Sequence, residues 1–278
     1  MTIVSNVGSE ILVNTATRSD QFDPQIATLA NGGFVVTWTD FSRGSRGATG
    51  DTDGYAVKGQ VFAANGVKVG SEILVNTVVK GDQFNSRIVS LPNGGFVVNW
   101  EDYSHGAGGH ASTYAIEAQV FDAGGAKIGS EILVAGGQAY SQITALPSGG
   151  FVVTWVGGSQ GVGGATGDNS GSAVKAQVFA ADGAKIGSEI LVNTAIQGYQ
   201  SLPEITTLSS GGFVVTWTDE SYGVGGATGD TSYDAVKAQV FAANGAKIGS
   251  EILVNTATLF SQHQPQITAL SNGGFVVT

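Results

Sequence analysis

The chain repeats itself, and that constrains its fold more than any other feature. The segment Gly-Ser-Glu-Ile-Leu-Val-Asn-Thr begins at Gly8, Gly70, Gly187 and Gly249, and a variant ending in Ala-Gly begins at Gly129. Successive copies are 62, 59, 58 and 62 residues apart. A second landmark, Gly-Gly-Phe-Val-Val-Thr/Asn-Trp, ends at Trp38, Trp100, Trp155 and Trp217, and a fifth copy runs from Gly273 to Thr278. A third, Val/Ile-x-x-Gln-Val-Phe, ends at Phe62, Phe121, Phe179 and Phe241. All three recur in one order. The chain therefore reads as a single repeat domain over 1–278, with units at about 8–69, 70–128, 129–186 and 187–248 and an incomplete unit at 249–278.

Each unit holds four short apolar runs, in the first case Glu10 to Asn14, Gln25 to Leu29, Gly33 to Trp38 and Ala56 to Phe62. Val, Ile, Phe and Trp dominate them, as strands prefer, and none has helical periodicity. In the third run Phe34, Val36 and Trp38 point one way and Val35 the other, so both faces are apolar and both are expected to be covered. The fourth run alternates Val57 and Val61 with Lys58 and Gln60, which predicts a half-wet outer strand. Repeated four-stranded sheets of this size predict an all-β fold, a β-propeller of four-stranded blades. Two arrangements fit. In one, Thr2 to Asn6 supplies a strand that closes a five-bladed ring; in the other, the chain is a piece of a longer array.

Composition narrows the function. Twelve Lys plus Arg stand against 22 Asp plus Glu, a net charge of −10, which argues against nucleic acid as a partner and against anionic lipid. There is no cysteine, hence no disulfide framework and no thiolate metal site. No apolar run is long enough for a membrane helix, so membrane insertion is not expected. Met1 to Val7 lacks the basic-then-apolar pattern of a cleavable signal peptide.

Loop lengths place the candidate site. Turns fall alternately at the two ends of an up-and-down sheet. The tight turns at Asn31-Gly32 and Asn65-Gly66 belong to one end, and the long stretches Thr15 to Pro24 and Thr39 to Tyr55 belong to the other. Long Gly-rich loops on a rigid scaffold are where binding usually lives. Their acids and aromatics, Asp40, Asp102, Asp219, Glu220 and Tyr222, form the candidate ligand-binding face. Asp51-x-Asp53-Gly54 partly resembles a calcium loop, so Asp51 and Asp53 are a candidate Ca²⁺ site; a solvated turn explains the same residues. His105 and His110, present in one unit only, read as ordinary loop histidines. The Trp ending each third run reads as core before it reads as a sugar platform. No Ser, His and Asp set recurs and no phosphate loop appears.

The succession GSEILVNT, DQFDPQIATLANGGFVVTW and YAVKGQVFAANG resembles the tandem repeats of very large secreted bacterial proteins, the RTX-like and adhesin-like, calcium-associated proteins of type I secretion systems. The resemblance implies an extracellular location and an adhesive or matrix role. The glycine-rich nonapeptide of RTX calcium rolls is absent. The leading expectation is thus a non-catalytic extracellular module, not an enzyme, that displays loops to a glycan or a cell-surface or matrix partner. A lectin-like propeller and a glycan-acting hydrolase are the alternatives. A single odd loop lining the axis with two carboxylates would favour the hydrolase.

Overall fold

The computed structural model describes residues 9–16, 19–43, 50–105, 114–158, 171–222 and 233–278. Among them there is no helix. Four antiparallel four-stranded sheets follow one another, each in simple sequence order. Blade one holds β1 (Gln21–Thr28), β2 (Phe34–Asp40), β3 (Ala56–Phe62) and β4 (Lys68–Leu74). Blade two holds β5 (Asp82–Ser90), β6 (Phe96–Tyr103), β7 (Ala115–Phe121) and β8 (Lys127–Gly136). Blade three holds β9 (Gln138–Ala145), β10 (Phe151–Gly158), β11 (Ser172–Phe179) and β12 (Lys185–Leu191). Blade four holds β13 (Gln200–Thr207), β14 (Phe213–Asp219), β15 (Ala235–Phe241) and β16 (Lys247–Leu253), and a two-stranded sheet of β17 (Ile267–Ala269) and β18 (Phe275–Val277) follows. The first strand of each sheet contacts the first strand of the next, β1 to β5 to β9 to β13 to β17. These are the inner strands of a β-propeller.

The sheets are offset from the sequence units by one strand. Each sheet takes its fourth strand from the Gly-Ser-Glu-Ile-Leu segment that opens the following unit. This corrects the expectation for the Ala56 to Phe62 run. β3 is an interior strand, buried throughout, and Lys58 and Gln60 are both about 1% exposed. Lys58 reaches Glu72 of β4 at 3.8 Å, and Gln60 Nε2 donates to the Val61 and Val69 carbonyls. The alternation marked buried pairing, not solvent. The wet edge is β4, whose first four residues are exposed.

The core lies between blades. Val35, Val57 and Val61 of blade one pack on Phe96, Val98, Trp100 and Phe121 of blade two. Blades two and three repeat this around Trp155, and blades three and four around Trp217. Trp100, Trp155 and Trp217 are fully buried at equivalent positions. A stacked Phe pair closes the hairpin end of each blade, as at Phe34 and Phe62, with ring centroids 4.8 Å apart.

The hairpin before Phe34 is a three-residue loop, not the two-residue turn that Asn-Gly suggests. Gly32 N–H donates to Leu29 O at 2.9 Å, and Gly32 alone takes the left-handed conformation, at φ +83°. This is a type I turn followed by a left-handed glycine. The long connections sit at the opposite end: Tyr55 N–H donates to Asp82 Oδ1 at 3.0 Å, and Gly81 N–H to Asp53 Oδ2 at 3.3 Å. Residues 44–49, 106–113, 159–170 and 223–232 of these loops, and 1–8 with the Thr2 to Asn6 stretch, lie outside the described residues.

Candidate functional site

Asp40, Asp102 and Asp219 end the second strand of their blades, where the sequence placed a ligand-binding face. The structure buries all three, at 2%, 0% and 3% exposure. Each closes an Asp-x-Ser turn. Asp102 accepts the Ser104 N–H at 3.0 Å and its hydroxyl at 2.8 Å; Asp219 does the same with Ser221 and Asp40 with Ser42. Gln83 donates to Asp102 at 2.9 Å and accepts from Asn76 at 3.0 Å. Asn76 in turn accepts the Val57 N–H at 2.9 Å. This relay ties the end of one blade to the inner strands of the next. Asn193, Gln200 and Asp219 repeat it between blades three and four. Between blades two and three, Ala135 stands for the Asn and Gly157 for the Asp, so both ends of the relay are lost together. Buried acids with internal donors hold loops in place. Their carboxylates are turned to the protein's own donors.

The other sequence candidates divide. Glu220 is half-buried and Tyr222 is 52% exposed, both at the long-loop end but outside the axial cavity described below. Burial, then the charges of Asp234 and Asp219, raise the Glu220 carboxyl. Asp51 is buried, accepts the Asp53 N–H at 2.9 Å and is contacted by Asn76 Nδ2 at 3.3 Å. Burial raises its carboxyl above the ordinary range. Asp53 is exposed and accepts from Gly81. Among the described residues no three acids or histidines come together as a metal cluster. His105 is exposed, and His110 lies outside the described residues.

A different set of side chains meets on the axis. Every inner strand is kinked at the same place. Asp23, Asn85, Tyr140, Leu202 and Gln264 have φ between +50° and +57°, and the ladder register slips beside the first four of them. A bulge re-aims the side chains that follow it, and left-handed non-glycine backbone concentrates at functional sites. Two residues after each kink stand Gln25, Arg87, Gln142 and Glu204, one on each of the first four inner strands, and Gln266 just before the fifth. The last four line a cavity of about 600 Å³, together with Asn85, Glu101 and Tyr140.

Hydrogen bonds link these four side chains in a row. Arg87 Nε donates to Gln142 Oε1 at 3.3 Å, Gln142 Nε2 to Glu204 Oε1 at 3.0 Å, and Gln266 Nε2 to the same oxygen at 3.4 Å. Burial pushes the Glu204 carboxyl above its ordinary value, while Gln266, the Arg87 charge and Gln142 pull it back. Glu101 Oε1 accepts the Tyr140 N–H at 2.9 Å. Two interfaces further on, between blade four and the final two-stranded sheet, the hydroxyl of Thr218 accepts the equivalent N–H of Gln264 at 3.2 Å. That contact therefore needs only an oxygen, and Glu101 adds a carboxylate to the cavity wall. The Tyr140 ring is 65% exposed beside it.

Glu101, Arg87 and Glu204 all fall outside the candidate face that the sequence defines. The signal was present. Aligning the repeats two residues after the kink gives Gln, Arg, Gln, Glu and Gln, and the two charges stand out.

No family model matches the chain, and a comparison with curated protein sequences finds no match. Solved structures do match. A protein of unknown function from Dyadobacter fermentans aligns with a TM-score of 0.52 at 10% identity, over 91% of this chain and 73% of that one. An endo-arabinase from Bacteroides thetaiotaomicron aligns at 0.39 and 11% identity, over 78% and 74%. An alpha-L-arabinofuranosidase from Lactobacillus brevis aligns at 0.41 and 11%, over 91% and 81%. At such identities the likeness is one of fold. The expectation of a protein that is not an enzyme is not upheld: glycoside hydrolases stand among the solved structures that this chain is similar to in fold.

Proposed function

We propose that the chain is a glycan-acting protein that hydrolyses a glycosidic bond in its axial cavity. The observation that carries this reading is the pair Glu101 and Glu204 facing one polar cavity, with amide, guanidinium and aromatic groups around them. Two carboxylates in different environments are the usual equipment of glycoside hydrolysis. Glu204, its carboxyl raised by burial, is the acid that gives its proton to the leaving oxygen as the bond to the anomeric carbon breaks. Glu101, fixed by the Tyr140 N–H, serves as the second carboxylate and directs water to that carbon. Water supplies the new hydroxyl, and its remaining proton passes to a carboxylate. Gln142 and Gln266 offer amides to sugar hydroxyls. The extracellular location implied by the repeat resemblance suits a polymeric substrate.

The test is release of reducing ends from a panel of arabinans, galactans and uronic-acid polysaccharides. Glu204→Gln and Glu101→Gln should each lower turnover by about 10²–10⁴-fold. Glu204→Gln should lose far less on an aryl glycoside, whose leaving group needs no proton. Activity should fall on the alkaline side as Glu204 loses its proton. Binding of a glycan with no release by the wild type would replace hydrolysis with the lectin reading; neither binding nor release would overturn both.

A further inference from the structure

Arg87 is the one cation that lines the axial cavity among the described residues. Gln25, Gln142 and Gln266 hold the equivalent place in three other repeats, so the fold does not require a charge there. Arg87 Nε donates to Gln142, and Nη1 donates to its neighbour's carbonyl, Ser86 O, at 3.1 Å. Nη2 has no partner among the described residues. Glu204 is not within ion-pair distance and is reached through Gln142. An acidic chain, at −10, thus holds a half-used guanidinium at its axis, between amide groups.

We infer that the cavity takes a sugar bearing a carboxylate, a uronic-acid residue, and that Arg87 is its receptor. This rests on the reading of the cavity as a glycan site. A guanidinium presents a planar fork that matches a carboxylate, and charge-assisted pairs of this kind are about twice as strong as neutral hydrogen bonds. A neutral sugar would be served as well by the Gln of the other blades. An incoming carboxylate meets Arg87 on one side and the amides of Gln142 and Gln266 on the other.

The experiment measures binding by affinity electrophoresis in gels containing polygalacturonate, its fully methyl-esterified form, alginate or neutral galactan. Wild type should be retarded by polygalacturonate or alginate at least tenfold more strongly than by the ester or the galactan. Arg87→Gln, which installs the residue of the sister positions and should melt as wild type does, should lose that preference. Equal retardation by polygalacturonate and its ester, or an unchanged preference in Arg87→Gln, would overturn the inference. Cleavage of neutral glycans alone would overturn it too while leaving the hydrolase reading intact. Absence of binding and cleavage with every polymer would remove both.

Discussion

Blades two and four share a backbone and differ in charge. In blade four, Lys237 crosses from Trp217 and reaches Glu251 at 3.6 Å and Asp219 at 3.9 Å. In blade two, Glu117 takes the place of that lysine opposite Trp100. Burial, then the charges of Glu131 and Asp102, push its carboxyl up to about 8. Glu101 and Arg87 also belong to blade two, where blade four has Thr218 and Glu204. The apolar positions are kept between the blades, and the charges at these three places are exchanged. The kept positions build the sheet interface, and the exchanged ones gather at the axis and behind it.

If apolar positions are interchangeable between blades, Trp100→Ala and Trp217→Ala should cost alike, about 3–5 kcal/mol each, as truncated core aromatics do. Urea melts of the two variants would check this. A difference above about 2 kcal/mol would show that the blades are not equivalent frameworks, and in a repeat architecture the loss should first loosen the mutated blade and its neighbours.

The exchanged charge should show in pH dependence. Glu117 binds its proton more tightly folded than unfolded. It therefore imposes no penalty below the ordinary carboxylate range near pH 4.5, an increasing one up to about pH 8, and a constant one above. Glu117→Gln should flatten the fall in stability over that window, by an amount on the order of 2–4 kcal/mol at pH 9. Lys237→Gln in blade four should do the opposite and destabilise at neutral pH, because it leaves Glu251 and Asp219 without that cation. Parallel pH profiles for wild type and Glu117→Gln would refute the difference between blades.

A smaller effect should separate the two turn acids. Asp219→Asn removes a charge near Lys237, whereas Asp102→Asn removes one that opposes Glu117. Asp219→Asn should be the costlier by about 1 kcal/mol, read as the difference in urea midpoints at pH 7.5. Equal costs would mean that only the Asp-x-Ser hydrogen bonds matter at both places.

Several features were plain in the sequence. Four runs per unit, the burial of Trp100, Trp155 and Trp217, and long connections at one end all follow from the apolar pattern and the turn residues, which act over a few neighbouring positions. The fourth run was misread because Lys58 and Gln60 are polar in isolation. Their burial depends on Glu72 and the Val69 carbonyl in the adjoining strand.

What the sequence by itself determined is local and periodic: strand, turn, and the recurrence that makes each sheet a copy of the last. Tertiary structure alone decided which strand is the inner one and which residues meet on the axis. Arg87, Glu101 and Glu204 come from three different strands and two blades, and their separations along the chain say nothing of their convergence. The kinks that aim the ring residues inward fall on Asp23, Asn85, Tyr140, Leu202 and Gln264, five different side chains with one backbone shape. At the first four, that shape accompanies a slip in register between the inner strand and its partner, a pairing that exists only in the assembled sheet.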